Sequence, residues 1–370
     1  MSSLKDLQKF GQSAWYDNIE RSFLLSGGLK RLVDDGIMGV TSNPSIFQKA
    51  IGGSAAYDED IKKFSQEGKN INQIYDELTT WDIARATEIM SNTFQSTGKI
   101  DGFVSLEVPP DLAHDAEKTV LEAERLFKKV NRPNLMIKIP ATKEGPAAIK
   151  AAIAKGINVN VTLIFNQEHY KAIAQAYIDG IKQRIQMRLP VDQVHSVASF
   201  FVSRIDSAVD KMLMEKGKSG MMKEYEGLLG KAAVAQTKVI YDLYRKMFWG
   251  KEFRALEKQG ANVQRLLFGS TSTKNPDYSD VKYVEEIIGE GTVNTIPHKT
   301  VEAFMDHGKA KASLSEGIDE AKETLKKLKS MGIDVEKVCQ KIQDDGVEAF
   351  IKDYHKLLKT LEEKKKSIVS

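Results

Sequence analysis

The feature that most constrains this fold is a regular alternation, along most of the chain, of short apolar runs with longer segments of helical periodicity. Such runs are typical of parallel strands that are buried on both faces. They lie at residues 13–17, 39–42, 103–108, 135–139, 158–165, 196–201, 263–268 and 292–296. Because helical segments separate most of these eight runs, the sequence predicts an α/β fold with a single (βα)8 barrel of the TIM type. No glycine-rich dinucleotide-binding motif favours an open doubly wound sheet instead.

The remaining segments predict helices and an extension beyond the barrel. Helical spacing is found at residues 71–94, 115–130, 143–155, 167–187, 205–214, 232–249 and 300–307, and a further helix should begin with Pro44 as its first residue. The glycine-rich residues 215–230 predict a loop insertion. From residue 313 onward we expect lysine-rich helices packed on the barrel, with breaks at Gly332 and Gly346 and a solvated tail at 362–370. The predicted domains are therefore a catalytic barrel, 1–312, and a C-terminal helical extension, 313–370.

Composition narrows the class of partner. The 370 residues carry 54 Lys and Arg against 51 Asp and Glu, and this net charge of +3 is too small to indicate binding to nucleic acid or a membrane surface. We therefore expect a small-molecule partner. The single cysteine, Cys339, excludes an internal disulfide, and the first residues lack an apolar segment for secretion, so a cytoplasmic protein is expected. No run of about 18 apolar residues predicts a transmembrane helix. The oligomeric state stays open, with a homodimer among the alternatives.

One predicted strand, residues 135–139, carries a lysine in its middle. Lys138 stands between Ile137 and Ile139, and Pro140 ends the run. Apolar surroundings disfavour the ammonium form of a lysine, which favours the neutral, nucleophilic amine that forms Schiff bases. In the alternative interpretation Lys138 lies at a strand end and extends its ammonium to water. The run alone favours this second interpretation.

The alternation of side chains across each strand changes that balance. Met136 and Lys138 share one face of their strand, because successive side chains point to opposite faces. The same rule places polar side chains on one face of nearly every predicted strand: Asp17, Thr41, Asn43, Ser105, Glu107, Asn160, Thr162, Ser199 and, in the last strand, Asn294. A purely structural barrel interior would be filled with branched apolar residues, and barrel active sites lie at the carboxyl ends of the strands. The pattern therefore favours a functional Lys138.

Five motifs in the expected order carry a resemblance to a known family. They are Thr-Ser-Asn-Pro-Ser at 41–45, Ser-Leu-Glu-Val at 105–108, Ile-Lys-Ile-Pro-Ala-Thr at 137–142, Asn-Val-Thr-Leu-Ile-Phe at 160–165 and Ser-Phe-Phe-Val-Ser-Arg at 199–204. Over roughly residues 10–310 the chain resembles the transaldolases, in their longer bacterial branch. The resemblance implies a (βα)8 barrel of the pentose phosphate pathway that transfers a dihydroxyacetone unit from sedoheptulose 7-phosphate or fructose 6-phosphate to glyceraldehyde 3-phosphate or erythrose 4-phosphate, without a metal or organic cofactor.

The resemblance also implies roles for the residues at the reacting carbons. Lys138 matches the Schiff-base lysine. Glu107, with a water held by Thr162, matches the device that dehydrates the carbinolamine, although Glu107 could instead be only an ion partner of Lys138. Asp17 matches the acid and base at the C3–C4 bond, and its structural alternative is an N-cap for a helix at 18–25. Burial disfavours a charged lysine and two carboxylates favour it, so the sequence leaves the protonation state of Lys138 open.

Further residues match positions that bind the substrate. Asn43 and Asn160 would hold the dihydroxyacetone unit, with satisfaction of buried backbone groups as the alternative for both, and Thr41 is a further substrate-binding match. Toward the phosphate the matches are Arg204, with Ser199 in the same motif, Ser270 and Lys274, and Phe201 is a further substrate-binding match beside the intermediate. Lys274 stands where many members have arginine, and lysine binds phosphate as a point charge rather than as a fork. An ordinary surface lysine is the alternative there.

Three other functions are alternatives for a chain with this sequence. The related fructose 6-phosphate aldolases share the lysine but release free dihydroxyacetone, and they carry glutamine and tyrosine where this chain has Glu107 and Phe201. A sugar-phosphate-binding barrel without turnover is disfavoured by the intact set of Lys138, Glu107 and Asp17. A metal-dependent aldolase would require clustered histidine ligands, and none of the six histidines form a close ligand pair on a predicted strand.

Overall fold

A computed structural model describes residues 4–218 and 222–369. Eight parallel strands close into a barrel in which each strand pairs with its neighbour in chain order and the last pairs with the first. The strands are β1 (Gln12–Asp17), β2 (Val40–Thr41), β3 (Val104–Glu107), β4 (Leu135–Pro140), β5 (Val159–Ile164), β6 (Ser196–Phe201), β7 (Arg265–Gly269) and β8 (Thr292–Ile296). The predicted (βα)8 barrel is confirmed, and the predicted strand ends lie within two residues of the observed ones.

Helices surround the barrel and continue beyond it. They are α1 (Leu4–Lys9), α2 (Arg21–Leu25), α3 (Gly28–Asp35), α4 (Pro44–Gly53), α5 (Asp58–Gln66), α6 (Ile71–Ile89), α7 (Ser91–Ser96), α8 (Ala116–Val130), α9 (Gly145–Ala154), α10 (Gln167–Gln186), α11 (Ser203–Gly217), α12 (Met222–Glu226), α13 (Ala232–Phe248), α14 (Lys251–Glu257), α15 (Lys282–Glu285), α16 (His298–His307), α17 (Ile318–Ser330) and α18 (Val335–Val369). Single 3-10 turns lie at Ala55–Tyr57 and Pro110–Leu112. Among the described residues no helix is both long and apolar enough to cross a bilayer.

The helix predictions hold except at three places. The predicted helix at 71–94 is divided at Met90, where α6 ends and α7 begins. The predicted loop insertion at 215–230 is wrong at 215–217 and 222–226, since α11 continues to Gly217 and α12 occupies Met222–Glu226; residues 219–221 lie outside the described part of the chain. In the extension, Gly332 separates α17 from α18 as expected, with a positive φ of 80°.

The third difference is α18, which is one continuous helix. The predicted break at Gly346 is wrong, because the helix continues to Val369; the predicted tail is helical, and its described side chains are exposed or half-exposed, as expected. One glycine costs a helix about 1 kcal/mol, and the buried face formed by Phe350, Leu357 and Leu361 offsets that cost. The tail also contacts the rest of the protein, since Lys364 Nζ donates a hydrogen bond to the Ile51 carbonyl at 2.9 Å. The division into domains at residue 312 stays a prediction.

The interior of the barrel is filled in two layers. Near the amino ends of the strands it is apolar, with a cluster that contains Trp15, Phe103, Met136, Val197, Leu267 and Val293. Gly39 makes room for this layer, because a Cβ there would lie 2.5 Å from the Trp15 ring. Side chains two residues further along the same strands form the upper layer, which includes Asp17, Ser105, Lys138 and Ser199. The alternation predicted from the sequence therefore leads to a closed floor beneath a polar cavity.

Candidate active site

A cavity of about 300 Å³ opens at the carboxyl ends of the strands. Ten residues that the sequence predicted as site residues line it: Asp17, Thr41, Asn43, Lys138, Thr162, Ser199, Phe201, Arg204, Ser270 and Lys274. The other two, Glu107 and Asn160, are buried and contact residues of its wall. The fold therefore brings the predicted residues together from strands β1 to β6 and from the segments that follow β2, β6 and β7.

Lys138 is only 4% exposed and lies on the inner face of β4. Its Nζ donates a hydrogen bond to the Ser42 carbonyl at 2.9 Å and is 3.4 Å from Glu107 Oε2. The parallel register explains this pairing, because Glu107 of β3 is directly opposite Lys138 of β4. The amine is thus held inside the barrel, and the interpretation in which it extends to water is wrong.

The environment of Glu107 suits proton transfer. Burial raises the pKa of its carboxyl above the ordinary value, and the Lys138 charge offsets part of that shift. Glu107 Oε2 has no hydrogen-bond partner, and the same is true of the buried Thr162 Oγ1 on the opposite side of β4. Buried polar atoms without a hydrogen-bond partner are uncommon, so both atoms are available to a bound polar group.

Asp17 is the last residue of β1 and lies half-buried at the cavity wall. Its Oδ1 accepts a hydrogen bond of 2.6 Å from Thr41 Oγ1, and Thr41 is 2.6 Å from Thr295 Oγ1. Burial raises the pKa of Asp17, while Lys138 and the Thr41 hydrogen bond lower it. The predicted N-cap role of Asp17 is wrong, because α2 begins only at Arg21 and Glu20 precedes it.

Asn160 and Asn43 differ in what they bind. Asn160 Nδ2 donates to Ser105 Oγ at 2.9 Å, and its Oδ1 accepts from Ser199 Oγ at 2.6 Å, so it joins β3, β5 and β6 inside the barrel. Asn43 caps α4, since its Oδ1 accepts a hydrogen bond of 2.9 Å from the Ile46 amide. Asn43 nevertheless lines the cavity. Asn43 therefore both caps α4 and lines the cavity.

A β-bulge in β5 adjoins this network. The pairing of β5 with β6 shifts between Val161 and Ile164, and Leu163 has a positive φ of 62°. A leucine rarely adopts this conformation, and bulges of this kind are frequent beside active sites. Gln343 of α18 binds the bulge, because its buried Nε2 donates to the Leu163 carbonyl at 2.8 Å and to the Ala141 carbonyl at 2.7 Å. The C-terminal helix therefore holds the strand end in place.

Positive charge collects at the other end of the cavity, called here the cationic end and formed by Arg204, Ser270 and Lys274. Arg204 lies in the first turn of α11, with its guanidinium 5.7 Å from the centre of the Phe201 ring. Ser270 follows β7 with a positive φ of 54°, and its hydroxyl is 3.0 Å from Ser203 Oγ. Lys274 is exposed at the rim and donates to Ser272 Oγ at 2.7 Å. Hydroxyls and cations in this arrangement suit a phosphate group.

The structure adds residues that the sequence reasoning missed. In β8 the residue that lines the cavity is Thr295, whereas Asn294 points to the other face and its Oδ1 accepts from Thr271 Oγ1 at 3.0 Å. The expectation that Asn294 belongs to the polar face is therefore wrong, because the inner face of β8 is the one that carries Val293 and Thr295. The other missed wall residues are Ser45, Ile46, Lys49, Leu267, Gly269, Ser272, Pro297, Phe350 and Asp353. Nothing in the local sequence connects α18 with the barrel mouth.

The two ends of the cavity have complementary chemistry. The lysine end is formed by Lys138, Glu107 and Asp17. Its amine can react with a bound carbonyl compound, and the carboxyl groups of Glu107 and Asp17, whose pKa values are raised, can exchange protons with it. At the cationic end an anion can bind. Among residues 4–218 and 222–369, no three His, Cys, Asp or Glu side chains are grouped as metal ligands.

Comparison with known proteins identifies the family. A family model described as transaldolase/fructose-6-phosphate aldolase matches residues 14–361. A transaldolase of Trichodesmium erythraeum is 42% identical over 99% of this chain and 98% of its own length. A transaldolase of Neisseria meningitidis is 42% identical over 98% of this chain and all of its own, and transaldolase 2 of Nostoc punctiforme is 41% identical over 98% and 97%. With the family model and full-length relatives in agreement, this chain belongs to the transaldolase/fructose-6-phosphate aldolase family.

Proposed function

We propose that this protein is a transaldolase of the pentose phosphate pathway, a transferase that moves a dihydroxyacetone unit from a ketose phosphate to an aldose phosphate through a Schiff base on Lys138. The observation that carries the proposal is the position of Lys138, buried 3.4 Å from Glu107 in a cavity whose other end holds Arg204 and Lys274. Donors are sedoheptulose 7-phosphate and fructose 6-phosphate; acceptors are glyceraldehyde 3-phosphate and erythrose 4-phosphate. The names of the full-length relatives support the same activity.

The first half-reaction forms and cleaves an imine. Neutral Lys138 Nζ attacks the ketose carbonyl, and the carbinolamine loses water as a proton is delivered from Glu107 through a water bound by Thr162. The raised pKa of Glu107 supports this role, because a larger fraction of the carboxyl group then carries the proton that it has to donate. Asp17 then takes the C4 hydroxyl proton, the C3–C4 bond breaks, and the first aldose leaves.

The second half-reaction runs in the opposite direction with a different aldose. The dihydroxyacetone unit remains on Lys138 as an enamine, held through its hydroxyls by Asn43 and Asn160. Its carbon attacks the aldehyde of the acceptor, Asp17 returns a proton to the new hydroxyl, and hydrolysis of the imine releases the product ketose. The phosphate of each aldose binds at the cationic end, so that one site serves donor and acceptor.

Two residues favour transfer over release of free dihydroxyacetone. Glu107 and Phe201 stand where the related aldolases carry glutamine and tyrosine. Phe201 packs against Phe165, with ring centres 5.4 Å apart, and offers no hydroxyl that could hold a water beside the intermediate. Slow hydrolysis leaves time for an acceptor to bind.

A product assay tests the proposal. Fructose 6-phosphate with erythrose 4-phosphate should give sedoheptulose 7-phosphate and glyceraldehyde 3-phosphate with ping-pong kinetics, and fructose 6-phosphate alone should give little dihydroxyacetone. Release of dihydroxyacetone as fast as formation of the seven-carbon product would replace the transferase by the aldolase. No reaction with either substrate set would leave only a binding function.

We also propose a cytoplasmic location for this protein. The only cysteine, Cys339, is buried, and burial raises the pKa of its thiol, which suits a protein of the reducing cytoplasm. A homodimer stays a prediction, which light scattering of the purified protein would test.

A further inference from the structure

Four charged side chains surround the cationic end, and two of them have no role in the mechanism above. Lys49 is exposed on α4, and Asp353 is half-buried on α18; both line the cavity together with Arg204 and Lys274. In the part of the chain that the structure describes, none of these four side chains forms an ion pair shorter than 4.0 Å. Four charged side chains that line one cavity without an oppositely charged partner are available to a charged ligand.

These charges act on one another across the cavity. Partial burial lowers the pKa of Lys274, and the charges of Arg204 and Lys49 lower it further. Burial also lowers the pKa of Arg204, whereas the carboxylate of Asp353 acts in the opposite direction. A dianion that binds between three cations relieves their mutual repulsion, so its binding is favourable. A nearby carboxylate repels the dianion and makes its binding less favourable.

We propose that Lys49 is a third phosphate-binding cation and that Asp353 weakens phosphate binding, so that α4 and α18 set the affinity of the cationic end in opposite directions. The phosphate in question belongs to a sugar phosphate, and this part of the inference rests on the proposed function. Lys49 strengthens binding as a point charge at the rim. Asp353 repels the phosphate through the same cavity without contacting Arg204 closely enough to orient it.

Opposed charges suit a reaction in which a phosphate must leave as often as it binds. In the proposed cycle one phosphorylated aldose departs and another enters at the same site, with the enamine waiting between them. Three cations without an opposing charge would hold the departing aldose longer, because affinity differences act mainly on the dissociation rate. Asp353 shortens that residence without any part in bond breaking.

Calorimetric titration with inorganic phosphate tests the two residues without requiring turnover. Lys49→Met should weaken phosphate binding about threefold to tenfold, and Asp353→Asn should strengthen it about threefold, in keeping with charge pairs near a protein surface. Both effects should shrink as the salt concentration rises above 0.15 M, where the Debye length falls below about 8 Å. The double variant, in which one charge of each sign is lost, should bind phosphate within about twofold of the unmodified protein.

Two matched variants control for general charge effects. Lys62→Met removes an exposed lysine from α5, and Glu348→Gln removes an exposed carboxylate from α18; neither side chain lines the cavity. Both should leave the phosphate affinity unchanged. Weaker phosphate binding in Asp353→Asn would overturn the proposal, because it would mean that Asp353 orients Arg204 instead. Unchanged binding in Lys49→Met would overturn the assignment of Lys49.

Kinetics separates a failure of this inference from a failure of the proposed function. With fructose 6-phosphate as donor, Lys49→Met should raise KM for erythrose 4-phosphate and leave KM for unphosphorylated glyceraldehyde unchanged. Equal effects on both acceptors would overturn the phosphate role of Lys49 while transfer persists. Absence of transfer in the unmodified protein would refute the proposed function, and the calorimetric result on inorganic phosphate would still stand.

Discussion

The lysine end and the cationic end of the cavity are built from different parts of the chain. Lys138, Glu107 and Asp17 all belong to strands of the barrel, and their side chains are buried or half-buried against neighbouring strands. Arg204 belongs to α11, and Lys274 lies in the segment after β7, exposed at the rim. Bond breaking requires atoms placed to a fraction of an ångström, which a closed sheet provides, whereas a phosphate can be held by charges on less constrained segments. Substitutions at the lysine end should therefore act on kcat, and those at the cationic end on KM.

Lys138→Met should have the largest effect. Without the amine no imine can form, so transfer should fall by about 10⁴-fold or more. Borohydride added with fructose 6-phosphate should inactivate the unmodified enzyme and label Lys138, as found by peptide mass spectrometry. Lys274→Met is the control at the cationic end and should still be labelled. An adduct on a different lysine would remove Lys138 from its proposed role.

Asp17→Asn should come next. It keeps the shape of the side chain but removes the base at the C4 hydroxyl, so kcat should fall about 10²- to 10⁴-fold. KM for fructose 6-phosphate should change little, as expected for the lysine end. The measurement is steady-state kinetics, together with borohydride labelling of Lys138, which should persist because imine formation does not require Asp17. A fall in affinity with kcat intact would place Asp17 among binding residues.

Arg204→Ala should show the opposite behaviour. Losing charge-assisted hydrogen bonds to phosphate should raise KM for fructose 6-phosphate about 10- to 100-fold, with a smaller fall in kcat. Arg204→Lys keeps the charge but not the fork and should recover part of the affinity. If KM stays the same in Arg204→Ala, the phosphate binds elsewhere and the contrast between the two ends fails.

Thr41→Val should shift the pH dependence of the lysine end. The Thr41 hydrogen bond lowers the pKa of Asp17, whose burial has already raised it. Because the ionised carboxylate is the active base, removing this bond raises the pKa further and moves the acid limb of the kcat/KM profile to higher pH. Thr41→Ser keeps the hydroxyl and should leave the limb in place. A limb that moves to lower pH, or not at all, would assign it to another group.

Phe201→Tyr should give the smallest effect. A hydroxyl near the enamine can hold a water, so release of dihydroxyacetone from fructose 6-phosphate without an acceptor should rise a few-fold, while transfer to erythrose 4-phosphate is largely kept. The product ratio is read by chromatography. Phe201→Leu, which adds no hydroxyl, is the matched control. A similar rise in both variants would mean that lost packing against Phe165 admits water.

The sequence by itself determined the barrel and the residues of the lysine end. Alternation along a strand has a period of two, so Lys138, Glu107 and Asp17 could be assigned to one face before any contact was known. A closed parallel barrel then requires that these faces meet at one end. This is why local patterns were sufficient for the fold and for much of the site. In β8, where both faces carry polar residues, only the structure shows that Thr295 and not Asn294 lines the cavity.

Only the tertiary structure decided which distant segments complete the cavity. The continuity of α18 through Gly346 depends on burial against the barrel. A glycine in the sequence indicates only that the helix is weaker there. The bulge at Leu163, the Gln343 side chain that holds it, and the presence of Asp353 beside Arg204 all depend on packing between segments far apart in the chain. No period in a sequence encodes such contacts, because they follow from how whole elements pack together.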